Sequence, residues 1–382
     1  MMKIAPFVLA ALTCLPGQAQ LVVSGNENKI DLTSGKPLVV PNAPPDSISI
    51  LDFSKFPPSV RHITGIRNSV IGPPSNIAIT PDRGLALIAS SVRPDPNDAV
   101  KYVPDTMIHV MDLTSDPPHV IQEIEGDKQP SGMSISADGK FALVANRASG
   151  TISMLAINGR EVVIKQRLTI CKPEDNVADV AISPDGTFAV ASVCDGGYLA
   201  YLRIENGVLT LTDRKLSVCG KPYRCVISPD GALALTGGSG QGFPDVDALT
   251  VVDLTQTPPR TVDYVPMGSN PESIEISPDG KLVAATLMAG STLAADAPGR
   301  SDAGQLVLLA RRDKTFEKVQ ELPTGAIPEG VAFTADGRYL VVQCHPTREL
   351  WIFEVNGERA KDTGVRIQVP GRPSSLRAAT TR

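Results

Sequence analysis

One short turn recurs six times along the chain, and it constrains the fold more than any other feature. It reads Ser/Thr, Pro/Ala, Asp, an optional residue, then Gly. The copies are Thr80-Pro81-Asp82-Arg83-Gly84, Ser136-Ala137-Asp138-Gly139, Ser183-Pro184-Asp185-Gly186, Ser228-Pro229-Asp230-Gly231, Ser277-Pro278-Asp279-Gly280 and Thr334-Ala335-Asp336-Gly337. Their aspartates stand 56, 47, 45, 49 and 57 residues apart. A recurrence near 50 residues implies a repeat architecture, in which each unit buries its apolar face on the next. The turn chemistry is self-consistent: the Asp side chain accepts from downstream backbone N–H groups, and Gly takes a positive φ.

Each turn joins two short runs rich in Val, Ile, Leu and Ala, such as 77–79 with 85–89 and 331–333 with 339–342. Runs of this length bounded by turn residues read as fully buried strands. Two more strands follow in each unit. Some meet at Asn158-Gly159, Asn206-Gly207 and Asn356-Gly357, which are hairpin turns of the primed type. Others meet at a segment that starts with Asp and ends in Pro-Pro, at 52–58, 112–118 and 253–259. With 32 Gly, 33 Pro and only 4% aromatics, the composition suits many short strands and turns. The count reaches seven four-stranded units if the termini share one. Pro373-Ser374-Ser375-Leu376 matches a first strand, and 21–24, 47–51 and 60–66 supply the other three. The expected fold is an all-β, seven-bladed β-propeller closed without a free sheet edge. An open β-solenoid or several small β-domains would leave that shared blade without a purpose.

The repeated Pro-x-x-apolar-x-apolar-Ser/Thr-Pro-Asp-Gly unit resembles the YVTN-type propellers and the neighbouring lactonase-like propellers. The resemblance covers essentially all of residues 20–382. It implies the propeller fold, and its enzymes place His and Arg residues at the channel mouth. None of His62, His109, His119 or His345 lies on a first strand, so activity carries over at most to Arg224. The architecture hosts enzymes and inert scaffolds alike.

The first residues, with Lys3, the apolar stretch 4–15 and Gly17-Gln18-Ala19, read as a signal peptide cut after Ala19. The expected organisation is therefore a leader at 1–19 and one propeller domain at 20–382, periplasmic or secreted. Cys14 follows a poor lipobox, and no run is long enough to span a bilayer. A formal net charge of −5 argues against a nucleic-acid partner, which needs clustered excess Lys and Arg. The expectation is a monomer. An exported chain can form disulfides: Cys171 with Cys194 and Cys219 with Cys225 are the candidate pairs, leaving Cys344 free. Cys225 also suits burial as a plain thiol.

The first strands align on their turn Ser/Thr, six residues after a position held mostly by Pro: Pro74, Pro130, Val177, Pro222, Pro271, Pro328 and Pro373. Three residues further on stand only apolar side chains, which predicts a core layer. One and two residues on, the ring is small or polar, and these positions line one mouth of the channel. Its ionisable members are Asp179, Arg224, Glu272 and Glu329, accompanied by Asn76 and Tyr223. Loops 26–46, 91–105, 237–247 and 288–304 build up the same face. Arg224 is a candidate to fix a carboxylate or polarise a carbonyl. Glu329 is a candidate to activate water, with His345 as a nearby base. Asn76, Asp179, Tyr223 and Glu272 are candidate ligand contacts. The blander assignments are a structural Asp179–Arg224 pair, glutamates facing a hydrated channel, and a His345 that caps a loop.

No cofactor motif is present: there is no His-Glu-x-x-His, Cys-x-x-Cys or Gly-x-Ser-x-Gly. A Ca²⁺ ion would find oxygen ligands in Glu272 or Glu329 with Asn76. The leading expectation is an exported propeller that binds a small polar ligand or a protein partner on its loop-rich face. The alternative is a lactonase-like hydrolase or isomerase acting on a cyclic ester. A role in periplasmic electron transfer would need a cofactor pattern that the chain lacks.

Overall fold

The computed structural model describes residues 20–239 and 245–379. The expected leader, and part of the loop at 237–247, lie outside them. Seven four-stranded antiparallel sheets are arranged as blades. Their innermost strands are Ile77–Ile79, Pro130–Ile135, Val177–Ile182, Lys221–Ile227, Pro271–Ile276, Pro328–Phe333 and Arg372–Ala378. The termini share one blade, in which the innermost Arg372–Ala378 is followed outward by Leu21–Glu27, Ser47–Asp52 and Ser59–Thr64. We call this blade 1 and number the rest in chain order.

The repeated turns form as their chemistry dictates. Ser136 Oγ donates to Asp138 Oδ1 at 2.7 Å, and Asp138 accepts from Lys140 N at 3.0 Å. Gly139 has φ +72°. The first copy differs: its extra residue, Arg83, takes the positive φ of +62°, and Gly84 does not. In the three Pro-Pro segments the peptide before the first proline is cis.

The core lies between blades. Leu143 and Ile152 of blade 3 pack with Val177, Ala191 and Leu202 of blade 4. The expected apolar layer, Ile77, Met133, Val180, Cys225, Ile274, Val331 and Leu376, is 0–2% exposed throughout. Two small hairpins rise above the blades. One pairs Ile30–Asp31 with Leu38–Val39, and the other pairs Val92–Asp95 with Asp98–Pro104. The first is pinned at its base by the buried Lys29–Asp46 ion pair. Its tip meets the 288–304 loop, where a Cβ on Gly35 would stand 3.0 Å from Ala294 N.

The cysteines correct the expected disulfides. Cys171, Cys194, Cys219, Cys225 and Cys344 are all free thiols. Cys225 Sγ points into the inter-blade core, 3.7 Å from Val190 O, and so turns away from Cys219. Cys171 Sγ instead lies 3.9 Å from Gly150 O. Burial pushes the Cys171 thiol up to about 11 and Cys344 up to about 12, which suppresses thiolate chemistry.

Candidate functional site at the upper mouth

The innermost strands begin with a shared irregularity. In blades 1 and 3 to 7, the register slips by one residue just after the proline position, as between Val177 and Asp179 or between Pro271 and Ser273. A bulge of this kind leaves one extra residue unpaired and re-aims its side chain. Consecutive residues that would point to opposite faces of a regular strand can thus both serve the channel. The backbone ahead of the bulge is also special. Gln129, Asn176, Asn270 and Ile327 have φ between +48° and +60°, and each directly precedes the first strand of its blade. Asn tolerates this conformation, whereas Ile, being β-branched, is strained in it.

Among the described residues, an upper and a lower cavity lie along the innermost strands. The upper one opens where the innermost strands begin and has a volume of about 220 Å³. Tyr223, Asn270, Glu272 and Glu329 line it from blades 5 to 7. Val70, Ile71 and Gly72 close one side, and Leu32, Gly35, Lys36 and Pro37 of the first hairpin cover it. Glu329 is 4% exposed, and Glu272 and Tyr223 are half-buried. Burial raises Glu272 to about 8 against the opposing pull of the Arg147 charge. Glu329 rises well above the ordinary carboxylate range, through burial and through the charges of Glu272 and Glu27. The environment thus separates the two acids: Glu272 has a cation beside it and ionises first, while Glu329 has only other carboxyls and keeps its proton. Arg147 lies over Tyr223, 5.4 Å from the ring centroid, with Nη1 3.4 Å from the phenol oxygen. Burial pushes the Tyr223 phenol up, so it stays a neutral donor.

The expected catalytic group does not assemble. Arg224 is buried below this level, away from Glu329 and His345. It donates Nε to Ile274 O at 2.8 Å, faces Asp179 at 3.4 Å and pairs with Glu275 at 2.5 Å. Asp179 also accepts from Ser75 Oγ and Cys225 N, so it is a structural anchor and not a ligand contact. Arg377 completes the cluster, donating to Ile77 O and Met133 O. Arg224, Glu275 and Arg377 themselves line a lower cavity of about 380 Å³, whose other walls include Ile182, Val226, Ile276 and Phe333. A strand alternates its faces, so residues two apart both face the channel. That places Glu275 and Arg377 one layer below the expected ring, where the sequence reading did not look.

His345 reaches the expected end of the channel but not the cavity. It is fully buried, with Nδ1 3.3 Å from Pro373 O and Nε2 3.9 Å from Glu27 Oε1. Burial and the Arg372 charge depress it to about 3, so the buried ring stays neutral. Asn76 is fully buried and is not part of the cavity lining, so the oxygen set expected for Ca²⁺ is not brought together. Among the described residues no group of three His, Cys, Asp or Glu side chains could hold a metal. The sequence reading missed Arg147 and Glu27. Arg147 was within reach: it stands eight residues after its turn glycine, Gly139, as His345 does after Gly337.

Known proteins with this architecture share its topology at low identity. A Bacteroides uniformis protein assigned as a 6-phosphogluconolactonase is 16% identical, with a TM-score of 0.69 over 94% of this chain and 99% of that one. The periplasmic gluconolactonase of Pseudomonas aeruginosa is also 16% identical, with a TM-score of 0.64 over 96% of this chain and 100% of that one. No curated protein matches the sequence. The family profile described as "Lactonase, 7-bladed beta-propeller" matches residues 99–226. The fold is that of the lactonase-like seven-bladed β-propellers. The matched stretch contains Arg147, Asp179, Tyr223 and Arg224, while Glu272 and Glu329 lie beyond it. No helix among the described residues is long and apolar enough to cross a membrane.

Proposed function

We propose that the protein hydrolyses a lactone at the upper mouth of the propeller. The observation that carries this reading is the Glu272–Glu329 pair in one covered cavity, with only Glu272 beside a cation. The Glu272 carboxylate takes a proton from water as that water attacks the lactone carbonyl carbon. Tyr223 donates a hydrogen bond to the carbonyl oxygen as charge develops there. The C–O bond to the ring oxygen then breaks, and Glu329 supplies the proton to that leaving oxygen. The product is the open hydroxy acid, and transfer of the proton held by Glu272 back to Glu329 resets the site. The gluconolactonase fold relatives support this reading. The leader-like segment 1–19 supports an extracytoplasmic setting for it.

The experiment is turnover of a panel of sugar, aliphatic and aromatic lactones by the protein lacking residues 1–19. Glu272→Gln and Glu329→Gln serve as variants. Loss of a positioned acid or base costs about 10²–10⁴ in rate. The expected result is such a loss in both variants, with neither variant melting below the wild type. A lactone turned over equally well by wild type and both variants would move the chemistry away from this cavity.

A further inference from the structure

We propose that the upper cavity selects an uncharged, polyhydroxylated lactone and rejects its phosphorylated counterpart. This rests on the lactone-hydrolase reading and adds the substrate class. The cavity, about 220 Å³, equals roughly seven water volumes at about 30 Å³ each, the space of one small ring. Besides Lys36, the polar side chains around it are Glu272, Glu329, Tyr223, Asn270 and Thr292, which together donate to and accept from hydroxyl groups.

A phosphate monoester brings ~1.5 to 2 negative charges and strong acceptor oxygens. Such a group is met by an Arg fork or a Lys. The lining supplies one cation, Lys36, on the exposed tip of the covering hairpin. Arg147 lies against Tyr223, and its charge already acts on Glu272. Opposite these stand Glu272 and Glu329, with Glu27 behind them as a third carboxyl. The arginines able to fork a phosphate, Arg224 and Arg377, lie in the ion cluster below and are committed to Glu275, Asp179 and backbone carbonyls. In the active form, with Glu272 ionised, a dianion in this cavity would meet a carboxylate, with Lys36 on the exposed hairpin tip as the one cation of the lining.

The test compares kcat/KM for D-glucono-1,5-lactone and its 6-phosphate at low salt. The expected preference for the unphosphorylated lactone is at least 100-fold. Thr292→Lys places an ammonium at the mouth. It should raise the ratio of kcat/KM for the phosphorylated lactone to kcat/KM for the neutral one tenfold or more. Equal turnover of both lactones, or a preference for the phosphate, overturns the selectivity. Turnover of neither would instead fall on the hydrolase reading. In that case thermal-shift titration with D-glucitol and D-glucitol 6-phosphate reads the selectivity alone. A shift with glucitol only supports it; a shift with the phosphate, or with neither, overturns it.

Discussion

Glu272 and Glu329 set the pH behaviour expected of the molecule. As a base, Glu272 works only when ionised, so kcat/KM should rise as pH passes about 8. As an acid, Glu329 works only when protonated, so the rate should fall at higher pH, giving a bell. A flat profile from pH 6 to 9, after subtraction of spontaneous hydrolysis, would remove both roles. The same raised values affect stability. Between pH 4.5 and about 8 the folded state holds protons that the unfolded chain releases, so stability falls as pH rises through that window. Glu329→Gln should therefore raise Tm by several degrees at pH 8 and leave it nearly unchanged at pH 4.5. Differential scanning calorimetry at the two pH values checks this; an equal shift at both would assign the effect to packing. Arg224→Ala should behave in the opposite way. It takes from the buried Asp179 the guanidinium that faces it, and breaking such a pair costs about 3–5 kcal/mol. The measurement is chemical denaturation, and a variant as stable as wild type would show the cluster to be dispensable.

The repeated first strand explains why the site lies where it does. Its apolar layer locks neighbouring blades, and its bulged start releases polar residues toward the channel. Close approach between blades leaves no room for change there. A Cβ on Gly132 would stand 2.0 Å from Asp179 Oδ1 and 2.7 Å from Asp179 Cα. Since the second contact is backbone, Gly132→Ala should cost about 1–3 kcal/mol, the range for overpacking, visible as a lower denaturation midpoint. An unchanged midpoint would mean that blades 3 and 4 can slide apart at no cost. The turns, hairpins and apolar layer were all legible in the sequence because each depends on local periodicity. The bulge was not, because it arises from pairing with the second strand. Counting along one strand therefore placed Arg224 beside Glu329, whereas the bulge and the alternation below it put them on different levels.

At the scale of the molecule, closure of the ring depends on Arg372–Ala378 pairing with Leu21–Glu27, strands more than 300 residues apart. Ending the chain at Gly371 would leave Leu21–Glu27 as an unpaired inner edge beside apolar blade faces. The expected outcome is loss of cooperative unfolding and aggregation, checked by calorimetry and size-exclusion chromatography. A truncated chain that stays soluble with a single sharp transition would show that the ring does not need this closure. The sequence alone determined the number of blades, the strand content of each, the shared blade and the ring of polar residues. These follow from turn chemistry and from apolar patterning, which act over a few residues. Only the tertiary structure decided which members of that ring meet. The packing of the blades brought Glu272 and Glu329 into one cavity under a hairpin, held Arg224 in a salt-bridge cluster and turned His345 inward, while burial and the charge of Arg147 set the two acids apart. Those outcomes depend on distances between blades, and the spacing of residues along one chain does not carry them.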